Sequence, residues 1–273
     1  MPHSNRNAGL PDYSVTHDAG RTTVYLLHGI YGAKEYWRYQ TERLVVRGYR
    51  VIAWEAPGYG LSVLPDAFDF EAVAQAGARL IRATGGDRNV LFGHSMGGQI
   101  TPRIFAKVRA AVPVNAIVIS ATIGYFGNRT KEEQAEFVSR RSIVPPGTDP
   151  YAAQLAVVNG MLGPSSAGEE VELVRRVASM TSPKTVQAAV KAVQQYPEAE
   201  AVAMIKAVDV PTLLVAGELD QTGHPAGMRR VADMIADATL AVVPGAGHYP
   251  WAENPGEFNR HLDAFLDQNA PAT

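Results

Sequence analysis

Ser95 stands at the centre of Gly93-His94-Ser95-Met96-Gly97, a G-x-S-x-G spacing. That spacing suits a serine held out on a sharp turn between a strand and a helix, flanked by glycines because side chains there would collide. Val90-Leu91-Phe92 reads as the strand before it and Gln99 to Val108 as the helix after it. Pro102 falls in the first turn of a helix so drawn, where proline is tolerated. A serine hydroxyl is a poor nucleophile at neutral pH. It needs a histidine base, and the base needs a carboxylate to orient it. Such a set performs acyl transfer.

Both partners have candidates downstream, in the order Ser, acid, His that an elbow serine calls for. Asp220 follows the apolar run Leu213 to Ala216, and His248 follows Ala241-Val242-Val243 through a Gly-rich loop. They lie 28 residues apart, room for one helix and one strand, so adjacent strands could deliver both groups. Glu218, two residues before Asp220, is the alternative orienting carboxylate. Attack on a carbonyl makes an oxyanion, which needs donors already in place. The backbone N–H of Met96 is one candidate. The N–H of Ile30 is the other, in His28-Gly29-Ile30-Tyr31-Gly32, where Gly29 and Gly32 let the backbone turn inward. Gly29, Tyr31, Tyr125 and Phe126 are candidates to touch a substrate, although Tyr125, Phe126, Tyr151 and Met161 could equally be packing. Arg140-Arg141 reads as a solvated helix end, with a clamp for a substrate carboxylate as the alternative. His94 is expected to pack beneath the elbow.

The elements that must hold these residues recur as a short apolar strand, a Gly-containing turn and a helix. Val24 to Leu27, Arg50 to Trp54, Asn89 to Phe92, Asn115 to Ser120, Pro211 to Val215 and Thr239 to Val243 are such runs, without apolar–polar alternation. Runs of that kind suit a parallel sheet covered on both faces, with helices such as Phe70 to Ala83 and Met228 to Ala236 between them. The expectation is an α/β fold with a doubly wound, mostly parallel sheet. The alternation stops between the fourth and fifth of these strands, where Lys131–Arg140, Tyr151–Gly160, Glu169–Met180 and Ser182–Gln194 read as helices. Residues 1–121 and 207–273 are therefore expected to form the core domain, and 122–206 a helical cap over the strand ends.

Composition narrows the function. A chain of 273 residues allows one or two domains at ~150 residues each. With 46% hydrophobic and 19% charged residues it can fill a core and is not disordered. No cysteine is present, which removes disulfides and thiolate chemistry. Twenty-five basic against 27 acidic residues give a net charge of −2 and argue against nucleic acid or an anionic membrane as partner. No histidine pair has metal-ligand spacing, Gly58-Tyr59-Gly60 lacks the later glycine of a dinucleotide loop, and no Walker motif is present, so neither metal nor cofactor is expected. The polar N-terminus has no apolar stretch of the secretory kind, and the longest apolar run, 111–126, is interrupted by Pro113 and Asn115. The expectation is a soluble, cytoplasmic protein acting on a small molecule. The sequence sets no oligomeric state.

These motifs together resemble the α/β-hydrolase superfamily from about Thr22 to Leu266. The resemblance rests on His28-Gly29, Glu55-Ala56-Pro57-Gly58-Tyr59-Gly60-Leu61-Ser62, the Ser95 elbow, Gly217-Glu218-Leu219-Asp220 and Gly247-His248-Tyr249-Pro250-Trp251-Ala252-Glu253-Asn254-Pro255. Within it the chain is similar to the enol-lactonase and carboxylesterase group associated with aromatic-compound breakdown. The resemblance implies a serine hydrolase of small carboxylic esters or lactones that works through an acyl-enzyme on Ser95. Serine excludes the epoxide-hydrolase and dehalogenase chemistries of the fold, because an alkyl ether on serine could not be hydrolysed. C–C hydrolysis of a ring-cleavage diketone is a second reading, ranked lower because His28-Gly29-Ile30-Tyr31-Gly32 replaces that group's Gly-Gly-Gly-Pro-Gly loop. A ligand receptor on the same fold is a third. Two departures stand out: Glu55 occupies a position where Asp is usual, expected to affect turn capping, and the first hairpin is expected to be reduced to Asp12–His17.

Overall fold

The computed structural model describes residues 3–4, 9–16, 20–142 and 147–273. Eight strands form one sheet: β1 (His3–Ser4), β2 (Tyr13–Thr16), β3 (Thr22–Leu27), β4 (Arg50–Trp54), β5 (Arg88–His94), β6 (Val114–Ser120), β7 (Thr212–Gly217) and β8 (Ala238–Val243). Their order is β1-β2-β4-β3-β5-β6-β7-β8. The β1–β2 and β2–β4 pairs are antiparallel and every other pair is parallel. All six residues of β3 and of β7 are buried, so both faces of the sheet are covered there. β8, at the edge, leaves Thr239 and Val242 exposed. This is the mostly parallel, doubly wound sheet that the unalternating runs predict. Among the described residues β1 has two residues and β2 four; His17, to which the first hairpin is expected to extend, lies outside them.

Helices α1 (Arg38–Val46), α2 (Phe70–Thr84) and α3 (Met96–Val108) join the first strands. Asp69 caps α2 by accepting the Ala72 N–H at 2.7 Å. Between β6 and β7 come α4 (Lys131–Ser142), α5 (Pro150–Asn159), α6 (Glu169–Ala178), α7 (Pro183–Gln195) and α8 (Glu198–Lys206), with no strand among the described residues. Then follow α9 (Pro225–Ala232), α10 (Pro250–Glu253) and α11 (Pro255–Asn269). Arg103 on α3 pairs with Glu71 on α2 and Glu200 on α8, fastening the inserted helices to the core.

Three expectations change. α3 begins at Met96, directly after the serine, so Pro102 sits in its second turn. There it removes the N–H that would answer the Gly98 carbonyl; the turn before is tightened instead by Thr101 Oγ1 donating to the Gly97 carbonyl at 2.7 Å. α9 starts three residues before the expected Met228, because Pro225 suits a first helical position and His224 Nδ1 caps the Gly227 N–H at 3.1 Å. α1 and α8 were not expected. Each buries only two side chains, Gln40 and Leu44 in α1, Ala201 and Ile205 in α8, so neither carries an apolar stripe wide enough to read.

Candidate active site

Ser95 joins β5 to α3 at φ 55°, ψ −115°, a backbone conformation costing about 1–3 kcal/mol for a residue with a side chain. The surroundings hold it there. The Ser95 N–H donates to the Ser120 carbonyl at 2.9 Å, and Thr122 Oγ1 donates to the Ser95 carbonyl at 3.1 Å. A Cβ on Gly93 would collide with the Gly97 carbonyl, and one on Gly97 with the Leu27 carbonyl of β3. Both glycines are therefore required by close approach of backbone to backbone.

Adjacent strands bring two more groups to the serine. His248 Nε2 lies 2.9 Å from Ser95 Oγ, and His248 Nδ1 lies 2.9 Å from Asp220 Oδ2. Asp220 Oδ1 also accepts the Thr222 N–H at 2.6 Å. Burial alone would push the Asp220 carboxyl up. His248 beside it and the N–H groups of Thr222 and Gly223 outweigh that and hold it below the usual range. An ionised carboxylate only accepts, so the proton of neutral His248 sits on Nδ1 and the Nε2 lone pair faces the serine. Glu218 is exposed and accepts the Gly245 N–H at 2.9 Å, so Asp220 is the carboxylate that touches the histidine.

Three residues to which sequence reasoning gave no positioning role fix this geometry. His94 Nε2 donates to the His248 carbonyl at 2.8 Å. Burial and His248 push its pKa down to about 3, so it is neutral and Nδ1 accepts from Tyr36 Oη at 3.1 Å. Tyr36 Oη in turn accepts the Gly29 N–H at 2.8 Å. One buried chain thus ties the loop after β3 to the backbone of His248. Glu253 grips the other side: Oε2 takes the N–H of Gly247 at 2.9 Å and of Gly163 at 2.6 Å, and Oε1 takes that of Tyr249 at 2.7 Å. His248 N–H donates to the Met161 carbonyl at 2.9 Å, which joins the histidine loop to the inserted helices. Glu253 lies in a quoted motif, but its contacts run to residues up to 90 positions away, beyond any local pattern.

A small cavity opens at the serine, lined among others by Gly29, Ile30, Tyr31, Ser95, Arg141 and His248. Ile30 and Met96 stand where expected, in the loop after β3 and at the first position of α3. Gly29 and Tyr31 line the cavity; Tyr125 and Phe126 do not. After β6 the chain is pinned to the core by Asn128, whose Nδ2 donates to the Ile123 and Gly227 carbonyls at 2.9 and 3.1 Å. Tyr125 is buried there, and Phe126 packs edge-on against Phe137, whose own ring does reach the cavity. Arg141 also departs from its expected solvated position: it turns into the cavity while Arg140 stays out and pairs with Glu136.

Beneath the loop, His28 Nε2 accepts the Ala56 N–H at 3.0 Å and Nδ1 donates to the Gly29 carbonyl at 2.8 Å. Burial pulls its pKa down to about 4, so its 3.6 Å approach to Glu55 Oε2 is not an ion pair. Burial raises Glu55 to about 8, and its Oε2 has no hydrogen-bond partner. Glu55 lies directly beneath Gly60 of the turn, with the Lys34 backbone N–H beside its carboxyl. Among the described residues no three His, Asp or Glu side chains converge as a metal set. No helix of the described residues is long and apolar enough to cross a membrane.

Comparison with known proteins gives a consistent result. A sequence model described as the alpha/beta hydrolase family matches residues 24–261. Polyketide synthase ThaQ of Burkholderia thailandensis is 28% identical over 84% of this chain, which spans 11% of that protein. A non-heme haloperoxidase of Rhodococcus erythropolis is 25% identical, covering 98% of this chain and 100% of its own. The esterase EaEST from Exiguobacterium antarcticum superposes with a TM-score of 0.81 at 18% identity, over 98% of this chain and 100% of that one, a likeness of fold.

Proposed function

Because the chain belongs to the alpha/beta hydrolase family, we propose that it is a serine hydrolase cleaving small carboxylic esters or lactones through an acyl-enzyme on Ser95. The observation that carries this reading is the unbroken line Asp220–His248–Ser95, with both contacts at 2.9 Å. In it, Ser95 Oγ attacks the substrate carbonyl and its proton passes to His248 Nε2. Asp220, kept ionised, stabilises the imidazolium that forms. The N–H groups of Ile30 and Met96 receive the oxyanion. The tetrahedral species collapses, the C–O bond breaks, and the alkoxide leaves with the proton from His248. Water then attacks the acyl-enzyme, gives its proton to His248 and releases the acid, and Ser95 recovers its proton. For a lactone the alcohol and acid leave as one molecule.

Residues 122–206 serve as the cap in this reading, since Phe137, Arg141 and Met161 close the cavity over the serine. A receptor would need one pocket and no triad; three aligned groups, a strained serine and a fixed histidine loop serve turnover. The test is hydrolysis of short p-nitrophenyl esters by wild type and Ser95→Ala side by side. Turnover by wild type alone is expected. Equal turnover by both would overturn the reading.

A further inference from the structure

Resting on the serine-hydrolase reading, we infer that Arg141 is an anion subsite of the Ser95 cavity and that the substrate carries a carboxylate beside its scissile ester. Arg141 projects from the last turn of α4 into the cavity that holds Ser95, His248 and Ile30. Its polar contacts there are thin. Nη1 lies 3.4 Å from the Phe137 carbonyl, and Nη2 lies 3.2 Å from Met161 Sδ and 3.5 Å from Thr222 Oγ1. Nε is sealed from solvent and has no partner. The guanidinium plane sits 4.0 Å over the Phe137 ring, which orients it without satisfying its donors.

No carboxylate lies within 4.0 Å of Arg141 among the described residues. Arg103, the enclosed arginine of α3, shows the contrast, pairing with both Glu71 and Glu200. The charged groups facing Arg141 are Arg140 and Asp220, with Arg129 also close, and the phenols of Tyr31 and Tyr249 stand near. Asp220 is committed to His248 and Thr222. Arg129 adds a second enclosed cation, its Nε also unpartnered, over the same Phe137 ring at 5.3 Å. Burial pulls the Arg141 pKa down, the direction expected of a cation held without an anion.

Enclosing an unpaired charge is costly, and a protein keeps one where a ligand completes the pair. Guanidinium meets carboxylate through charged N–H···O bonds, and here Nη2 touches only the Met161 thioether at 3.2 Å and the Thr222 hydroxyl at 3.5 Å. One guanidinium in the wall matches a monoanion. The space beside Ser95 is small and matches a short molecule. A half-ester or lactone of a small dicarboxylic acid fits both limits: one carbonyl faces Ser95 and the second carboxyl faces Arg141.

The test compares mono-p-nitrophenyl succinate with its neutral methyl ester on wild type, Arg141→Met and Arg141→Lys. Wild type is expected to favour the anionic ester by roughly 10- to 100-fold in kcat/KM, a charged hydrogen-bonded pair being the discriminator. Arg141→Met is expected to lose that preference, mainly through KM, the anionic ester losing roughly 10- to 100-fold more than the neutral one. Arg141→Lys should regain part of it. Equal rates of wild type on the two esters, or an equal loss on both in Arg141→Met, overturn the subsite. The neutral ester shows that each variant is folded. Failure of the hydrolase reading shows differently, as Ser95 unlabelled by an organophosphonate. In that case succinate binding to Ser95→Ala, read by thermal shift and compared with Ser95→Ala/Arg141→Met, still decides the subsite: a shift in the first protein alone supports it, and no shift in either contradicts it.

Discussion

The two walls of the Ser95 cavity are built on opposite terms. On the sheet side, polar groups are answered: His248 by Asp220 and Ser95, His94 by Tyr36 and the His248 carbonyl, and the histidine loop by Glu253. On the inserted side, Arg141 keeps a sealed, unpartnered Nε atom and no acid within 4.0 Å among the described residues. A wall with its hydrogen bonds filled is rigid and holds reacting atoms in register. A wall with unfilled donors is completed by what enters. On the proposed reading, mechanism belongs to the first wall and selection to the second.

The largest effect that could break this contrast is at the serine. Ser95→Ala should lower kcat by about 10⁴-fold or more on every ester while the melting curve stays cooperative, as calorimetry and rate assays would record. Asp220→Asn should lower kcat by about 10⁴-fold, because an amide cannot hold the Nδ1–H tautomer of His248. Glu218→Gln, altering only the exposed contact to Gly245, should stay within about twofold. If the two exchanged effects, the assignment of the orienting carboxylate would be wrong.

Tyr36→Phe is smaller and sharper. It removes the acceptor of the Gly29 N–H and the donor to His94 in one step. Denaturant unfolding should show a loss of about 1–3 kcal/mol. The rate should fall through kcat with KM unchanged, since Tyr36 positions the oxyanion loop and the histidine loop. A purely structural tyrosine would lower stability and leave kcat of the folded enzyme alone.

A further effect, on stability alone, concerns pH. Burial raises Glu55 from 4.5 to about 8 in the folded protein. The unfolded chain releases this proton near 4.5 and the folded one near 8. Stability from this group is therefore present below about 4.5 and lost as pH rises to about 8. Glu55→Gln should flatten that limb, so the wild-type-minus-variant stability falls between these values. A difference independent of pH would mean that Glu55 is ionised in the fold.

What could be read from sequence follows the same division. The strands were legible because burial on both faces writes continuous apolar runs, as in Thr22–Leu27 and Thr212–Gly217. Ser95, Asp220 and His248 were legible as candidates because each sits at a strand end beside glycines that local sterics demand. Tyr36 was not, because its link to His94 spans 58 residues and nothing local announces it. Nor was Arg141. At a helix end an arginine faces in or out according to what packs around it, and a neighbour such as Arg140 looks identical in sequence while pairing with Glu136 outside. Tyr125 and Phe126 misled for the converse reason: aromatic side chains after a core strand suit a pocket, but Asn128 pins that segment to the core.

The most direct measurement is peptide mapping by mass spectrometry after a fluorophosphonate reacts with the wild-type chain and with His248→Gln. The account predicts one adduct, on the peptide holding Ser95, formed at least ~10³-fold more slowly in the variant. An unmodified Ser95, or equal labelling in both proteins, would contradict it.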